Sequence, residues 1–177
     1  NPILRKSLPY DPASLTPLLL IGTSTNMLVI NAKLPYKDLA DLLKMAREKS
    51  GALILASSGN GSSPHVAAEL FAKASGIQIT HIPYKGTSPA MNDLLGGQVD
   101  LIFETAQFMT PQIKAGKVNT YAVAGTKRYP GLPDIPTMSE LMGKASWEAY
   151  SWFGLVAPAN TPAAVTTVLE KALLKVV

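Results

Sequence analysis

Unbroken apolar runs alternate along this chain with amphipathic stretches headed by proline. Leu18–Ile21 and Met27–Ile30 read as strand, either separately or as one long strand. Leu53–Ala56, Ile77–Ile82, Val99–Phe103, Thr120–Ala124 and Phe153–Val156 read as further strands, and most of them lack polar alternation. Continuous apolar runs are what a parallel sheet covered on both faces requires.

The intervening stretches carry helix signals. Ser63-Pro64, Ser88-Pro89, Thr110-Pro111 and Thr161-Pro162 each predict a hydroxyl N-cap followed by proline at the first helical position. At that position the missing N–H costs nothing and the fixed φ suits the helix. Gly76, Gly96 and Gly116 predict the matching helix ends, and a further helix spans roughly Lys37 to Lys49, ahead of Gly51. The resulting order, β-α-β-α-β-α-β, predicts a right-handed, doubly wound α/β sheet. Pro130, Pro133 and Pro136, with Gly131 among them, mark a loop or hinge-like connection.

Composition narrows the function classes. With 47% hydrophobic and 16% charged residues, the chain is that of a folded globular protein. It contains no Cys, which removes disulfides, thiolate chemistry and the common structural zinc sites. A net charge of +4 favours acidic small molecules over cationic ones. No block of consecutive Lys and Arg forms a nucleic-acid footprint, and no apolar run approaches the ~18 residues of a membrane span. The sequence opens Asn1-Pro2-Ile3 and stops inside the helical pattern of Lys171–Val177, so the expectation is a piece of a longer protein.

The segment Ser57-Ser58-Gly59-Asn60-Gly61-Ser62-Ser63-Pro64-His65 is the sharpest local feature. It joins a predicted strand to a predicted helix, so in a parallel α/β sheet it lies at the carboxyl edge, where ligands bind. Its glycines allow a tight turn, its hydroxyls can donate, and the helix start adds unpaired N–H groups and the positive end of the helix dipole. A carboxylate suits this set; a serine–glycine turn that merely caps a helix is the plainer reading. Gly59-x-Gly61 lacks the third glycine of a dinucleotide fingerprint, and no lysine follows to reach a phosphate.

Other chemistries fail on spacing. There is no Gly-x-Ser-x-Gly elbow, and only 2 His are present to serve a nucleophile. His65 and His81 do not sit at metal-ligand spacing, so neither metal nor cofactor is expected. His65, in the first helical turn, reads as a neutral hydrogen-bonding residue, and His81 as a strand-edge residue beside Pro83. Trp147 and Trp152 read as core or hinge packing.

Ordered motifs along nearly the whole chain carry a family resemblance. They are Ala56–His65 with Ala67-Ala68-Glu69-Leu70-Phe71, His81-Ile82-Pro83-Tyr84-Lys85-Gly86, and Asp93-Leu94-Leu95-Gly96-Gly97-Gln98-Val99-Asp100. Ile113-Lys114-Ala115-Gly116-Lys117, Leu132-Pro133-Asp134-Ile135-Pro136-Thr137 and Ser151-Trp152-Phe153-Gly154-Leu155-Val156-Ala157-Pro158 complete the series. The chain resembles the substrate-binding proteins of tripartite tricarboxylate transporters, the Bug receptors. That resemblance implies a type II periplasmic-binding-protein fold: one nearly complete doubly wound lobe plus parts of a second. Residues 1–25 would close the first lobe and lead into a hinge near Gly22–Thr25. Residues 26–125 would form the second, ligand-gripping lobe, and 126–177 would pass a hinge near Gly125–Arg128 and return to the first.

The resemblance further implies a periplasmic, non-enzymatic receptor that captures a small organic acid and delivers it to membrane permease subunits. By position, Ser57, Ser58, Gly59, Asn60, Gly61, Ser62, Ser63 and His65 would grip one carboxylate. Glu104 and Thr105 would supply a second contact, where the family often has Asp followed by a small polar residue. Glu104 either braces its loop or meets an amine, hydroxyl or protonated acid group. Tyr84 would shape the cleft floor, and Lys85 either joins it or is a solvated charge. The alternatives are the effector domain of a LysR-type transcription regulator, which shares the fold, and a small-molecule enzyme using the serine-rich loop.

Overall fold

Six strands and six α-helices alternate through the computed structural model, which describes residues 10–143 and 147–176. They run β1 (Leu15–Asn31), α1 (Leu39–Glu48), β2 (Ile54–Ser57), α2 (Ser63–Ser75), β3 (Thr80–Pro83), α3 (Thr87–Gly96), β4 (Leu101–Thr105) and α4 (Ala106–Lys114). Then follow β5 (Val118–Val123), α5 (Met138–Met142), β6 (Tyr150–Pro158) and α6 (Ala163–Leu173). Residues 1–9, the start of the expected first-lobe segment, and Val177 lie outside the described residues.

The strand order is β3-β2-β4-β1-β5, with β6 paired to β1. β2 is parallel to β3 and β4, whereas β1 is antiparallel to both β4 and β5. The expected parallel pairing therefore holds for β3, β2 and β4, and the sheet as a whole is mixed. The physical reason is that an unbroken apolar run reports burial on both faces and carries no information on strand direction.

Two compact units divide the chain: Ser24–Ser151, and the residues up to Thr23 together with those from Trp152 onward. The larger unit thus extends well past Gly125, where the sequence suggested it would end. Three contacts hold the extra segment. Val123 N–H donates to Pro136 O (2.9 Å), Ala149 N–H donates to Ala124 O (3.0 Å), and Trp147 packs beside Phe103 with ring centroids 6.1 Å apart.

Within that unit the strand pleat sends alternate side chains to opposite faces. Leu28, Ile30, Leu55, Leu101 and Phe103 join a core formed with Leu39, Leu42 and Ala46 of α1 and Ala67, Ala68 and Phe71 of α2. Met27, Val29, Ala56 and Ile102 face the other way, onto Ala90, Met91 and Leu94 of α3 and Ala106 and Met109 of α4. Helices thus cover both faces of the sheet. Complete burial of one such side chain, Phe71 for example, contributes about 1.5–3 kcal/mol.

The helix starts differ in detail from the proline rule. α2 is capped by Ser62, so Ser63 and Pro64 are its first two residues. α3 starts behind Gly86, which puts Pro89 third, still among the N–H positions that no helix bonds. α4 begins at Ala106 and encloses Pro111, so Thr110-Pro111 is not a helix start. Thr110 Oγ1 instead donates to Ala106 O at 2.6 Å. At α6 the cap position falls to Pro162 rather than Thr161, and no side-chain cap bond forms.

In the smaller unit, the outer parts of β1 and β6 lie together. Ala159 N–H donates to Ser14 O (2.8 Å), and a side chain at Gly154 would press on Leu19 O at 3.1 Å. Trp152, expected to pack, is 67% exposed, and α6 buries no residue.

Candidate functional site

The register of the parallel strands brings three chain turns to one edge. Ser57 is level with Pro83, and Ala56 with Ile102, so β2, β3 and β4 all present their carboxyl ends there. Each strand leads directly into a helix, so α2, α3 and α4 start at that edge with their positive dipole ends. Met27 pairs with both Glu104 and Val123, which adds the end of β5 and the Ser24–Asn26 stretch of β1 to the same edge.

Two of the three helix starts already face a protein carboxylate. Glu104 is buried at the end of β4; its Oε2 accepts from Thr87 Oγ1 of α3 at 2.7 Å. Its Oε1 accepts from the N–H of Thr105, the cap residue of α4, at 2.8 Å. Of the two roles open to Glu104 in the sequence, the geometry supports bracing. Tyr84 is likewise committed: its hydroxyl donates to Asp93 Oδ2 at 2.6 Å. That bond, aided by burial and the Asp93 charge, pushes the phenol up to about 12. Lys85 is exposed.

The start of α2 is different. The loop turns at Gly59 (φ 134°) and Gly61 (φ 79°), and a Cβ at Gly59 would sit 3.4 Å from Tyr84 O. Both residues occupy backbone conformations that a side chain disfavours. Ser62 caps the helix: its hydroxyl donates to Gly59 O (2.7 Å) and accepts from His65 N–H (3.4 Å). Ser57, one of the expected ligand donors, is fully buried. Its hydroxyl lies 2.7 Å from His81 Nε2 and accepts from Gly59 N–H at 3.2 Å, so Ser57 supports the loop from below. Tyr84 N–H donates to Ser57 O (2.9 Å) and fixes the other side of the turn.

Ser58, Asn60 and Ser63 remain. Neither their side chains nor their backbone N–H groups have a hydrogen-bond partner among the described residues, and Asn60 is exposed. The expected site residues therefore separate into a presenting set (Ser58, Asn60, Ser63) and a supporting set (Ser57, Gly59, Gly61, Ser62, His65, Tyr84, Glu104). Thr105 sits half-buried at the α4 cap, with no side-chain cap bond.

Sequence reasoning missed several supports. Thr87 anchors Glu104, Asp93 holds Tyr84, and Ser24 Oγ bonds Gln107 Oε1 at the neighbouring start of α4. His81 lies under the loop against Ser57, stacked on His65 with ring centroids 4.1 Å apart. The chain contains only 2 His, and nothing local in the sequence places both beside one loop.

A mixed sheet sandwiched by helices, with a loop of unpartnered N–H groups at its carboxyl edge, is the fold of a lobe of the periplasmic-binding-protein type. The chain belongs to the tripartite tricarboxylate transporter family receptors, which it matches along residues 1–177. Among solved structures it is similar to Rpa4515 of R. palustris with adipate: 36% identity, TM-score 0.86, covering 94% of this chain and 56% of that one. It is also similar to the periplasmic binding protein BugD, at 38% identity and TM-score 0.85, covering 93% of this chain and 55% of that one. MatC (Rpa3494) of Rhodopseudomonas palustris with bound malate gives 29% identity and TM-score 0.88, covering 97% and 58%. The chain spans about half the length of the curated relatives it matches. This family membership favours the receptor reading over the regulator effector domain.

Proposed function

We propose that this chain is the carboxylate-gripping part of an extracytoplasmic solute receptor, which captures a small organic acid and passes it to the permease of a tripartite tricarboxylate-type transporter. The observation that carries this reading is the set of unpartnered N–H groups and polar side chains at Ser58, Asn60 and Ser63, held at the start of α2 by a rigid support. Hydrogen bonds to a charged acceptor contribute about 1.5–3 kcal/mol each, against roughly 0.3–1 kcal/mol for the helix dipole, so the bonds dominate the grip. In this reading the Ser24–Ser151 unit is the receptor's second lobe and the flanking segments belong to its first.

In this reading the receptor binds its acid without turning it over: among the described residues the serine hydroxyl that meets a histidine ring, Ser57, is fully buried, which keeps a substrate from reaching it. Periplasmic residence is supported by the likeness to the periplasmic binding protein BugD, and no helix among the described residues is long and apolar enough to cross a membrane. Calorimetric titration of the full-length protein with adipate and with malate tests the proposal. Saturable binding near micromolar, about 8 kcal/mol, is expected for at least one acid. Absence of binding to these and to a panel of other mono-, di- and tricarboxylates overturns it.

A further inference from the structure

Beneath the loop lies a pair of groups that capture of an acid does not itself explain. His65 of α2 and His81 of β3 stack with ring centroids 4.1 Å apart and an interplanar angle of 13°. His65 Nδ1 accepts from Gly61 N–H at 3.0 Å, which only an imidazole unprotonated at Nδ1 can do. His65 Nε2 lies 3.6 Å from Glu69 Oε1, one turn along α2. On the other ring, His81 Nε2 meets the buried hydroxyl of Ser57, which also receives Gly59 N–H. Both positive-φ glycines of the turn are thus tied, directly or through Ser57, to a histidine ring.

The titratable groups facing the pair are each other and Glu69 of α2. β2 contributes only the uncharged Ser57, and the loop only backbone. Burial, then the neighbouring His65, lower the pKa of His81, and Glu69 opposes them. A proton on His65 Nδ1 would face the Gly61 N–H donor to donor.

We propose that His65 and His81 are positioning residues of the carboxylate loop, and that only a neutral His65 holds it in its anion-binding shape, so that acid loosens the grip. The inference rests on the receptor reading for its ligand but not for its loop geometry. Protonation and the presented N–H groups are linked through Gly61: a charged His65 releases Gly61, whereas a charged His81 can donate to Ser57 Oγ while the Ser57 hydroxyl donates to Gly59 O (3.2 Å) and leaves that side of the turn intact. A nearby positive charge would by itself favour an anion, so the sign of the pH effect discriminates. Loosening predicts weaker binding in acid, and simple attraction predicts tighter binding.

The test follows the full-length protein between pH 8 and 5. NMR of the unliganded protein reports the imidazole resonances and the Gly61 amide, and adipate is titrated in parallel. Expected are a Gly61 amide shift that tracks His65 protonation and an adipate affinity that falls at least about tenfold in acid. His65→Asn keeps an acceptor for Gly61 but cannot titrate; whatever its affinity at neutral pH, the ratio of its adipate affinities at pH 8 and pH 5 should lose the acid fall. A Gly61 amide that stays fixed while His65 titrates overturns the proposal, as does an affinity that rises in acid or falls equally in His65→Asn. Should adipate bind at no pH, the receptor reading loses support while the amide titration still decides the loop.

Discussion

Removal of the Glu104 carboxylate separates bracing from ligand contact. In Glu104→Gln the amide oxygen can still accept from Thr105 N–H, and Thr87 can reverse to accept from the new NH2, so both bonds survive without their charge. A bond to a charged group contributes about 1.5–3 kcal/mol and a neutral one about 0.5–1.5, so the pair together lose roughly 1–3 kcal/mol. Glu104→Ala leaves the Thr105 N–H and Thr87 hydroxyl, which Glu104 accepts at 2.8 and 2.7 Å, to find water or stay unpaired, at a cost of about 2–4 kcal/mol. At roughly 2–4 °C per kcal/mol, the alanine variant should melt about 5–15 °C below wild type and the glutamine variant by less. Thermal melts are to be read beside calorimetry with adipate and with an α-amino dicarboxylate. If Glu104 only braces the starts of α3 and α4, Glu104→Gln changes both affinities alike. A selective loss of the amino acid ligand at unchanged melting temperature would show that Glu104 reaches the ligand, and an alanine variant as stable as wild type would refute the brace.

Two further outcomes follow from the same geometry. Gly61→Val forces a β-branched residue to φ 79°, costing about 1–2 kcal/mol of strain or moving the turn, so adipate affinity should drop at least about tenfold by calorimetry. The hydrogen bond to Asp93, with burial and the Asp93 charge, raises Tyr84 to about 12, above its unfolded value of 10.0. The contact therefore stabilises the fold fully below pH 10 and is lost as pH rises toward 12. Alkaline absorbance titration should show a tyrosinate step near pH 12 that Tyr84→Phe removes; its persistence in that variant would sink the assignment.

Much of the architecture was legible because its signals are local. Apolar runs located the strands, and Ser62-Ser63-Pro64 announced α2 to within one residue. Thr110-Pro111 misled because proline at a helix start and proline inside a helix look the same in sequence; only tertiary packing of Ala106 and Met109 sets where α4 begins. α5 was overlooked although Thr137 and Glu140 form a capping box that the sequence displays. The roles of the site residues depended on contacts across the fold. Ser57 and His81 are 24 positions apart, and nothing local reveals that the first serine of the loop is buried while the second is available. The direction of β1 was hidden for a similar reason, since it is set by its partners β4 and β5.

The free donors of the α2 loop have a consequence for how such a receptor diversifies. Three of them are peptide N–H groups, at Ser58, Asn60 and Ser63, and every amino acid except proline supplies one. A grip written into the main chain survives replacement of the side chains that display it. On the proposed reading the side chains at 58, 60 and 63 are therefore free to drift toward new acids, while the glycines at 59 and 61 permit the turn and Ser57, Ser62 and His65 hold it. In the proposed reading, ligand preference and carboxylate capture would be carried by different atoms of the same few residues, so that one could change without the other.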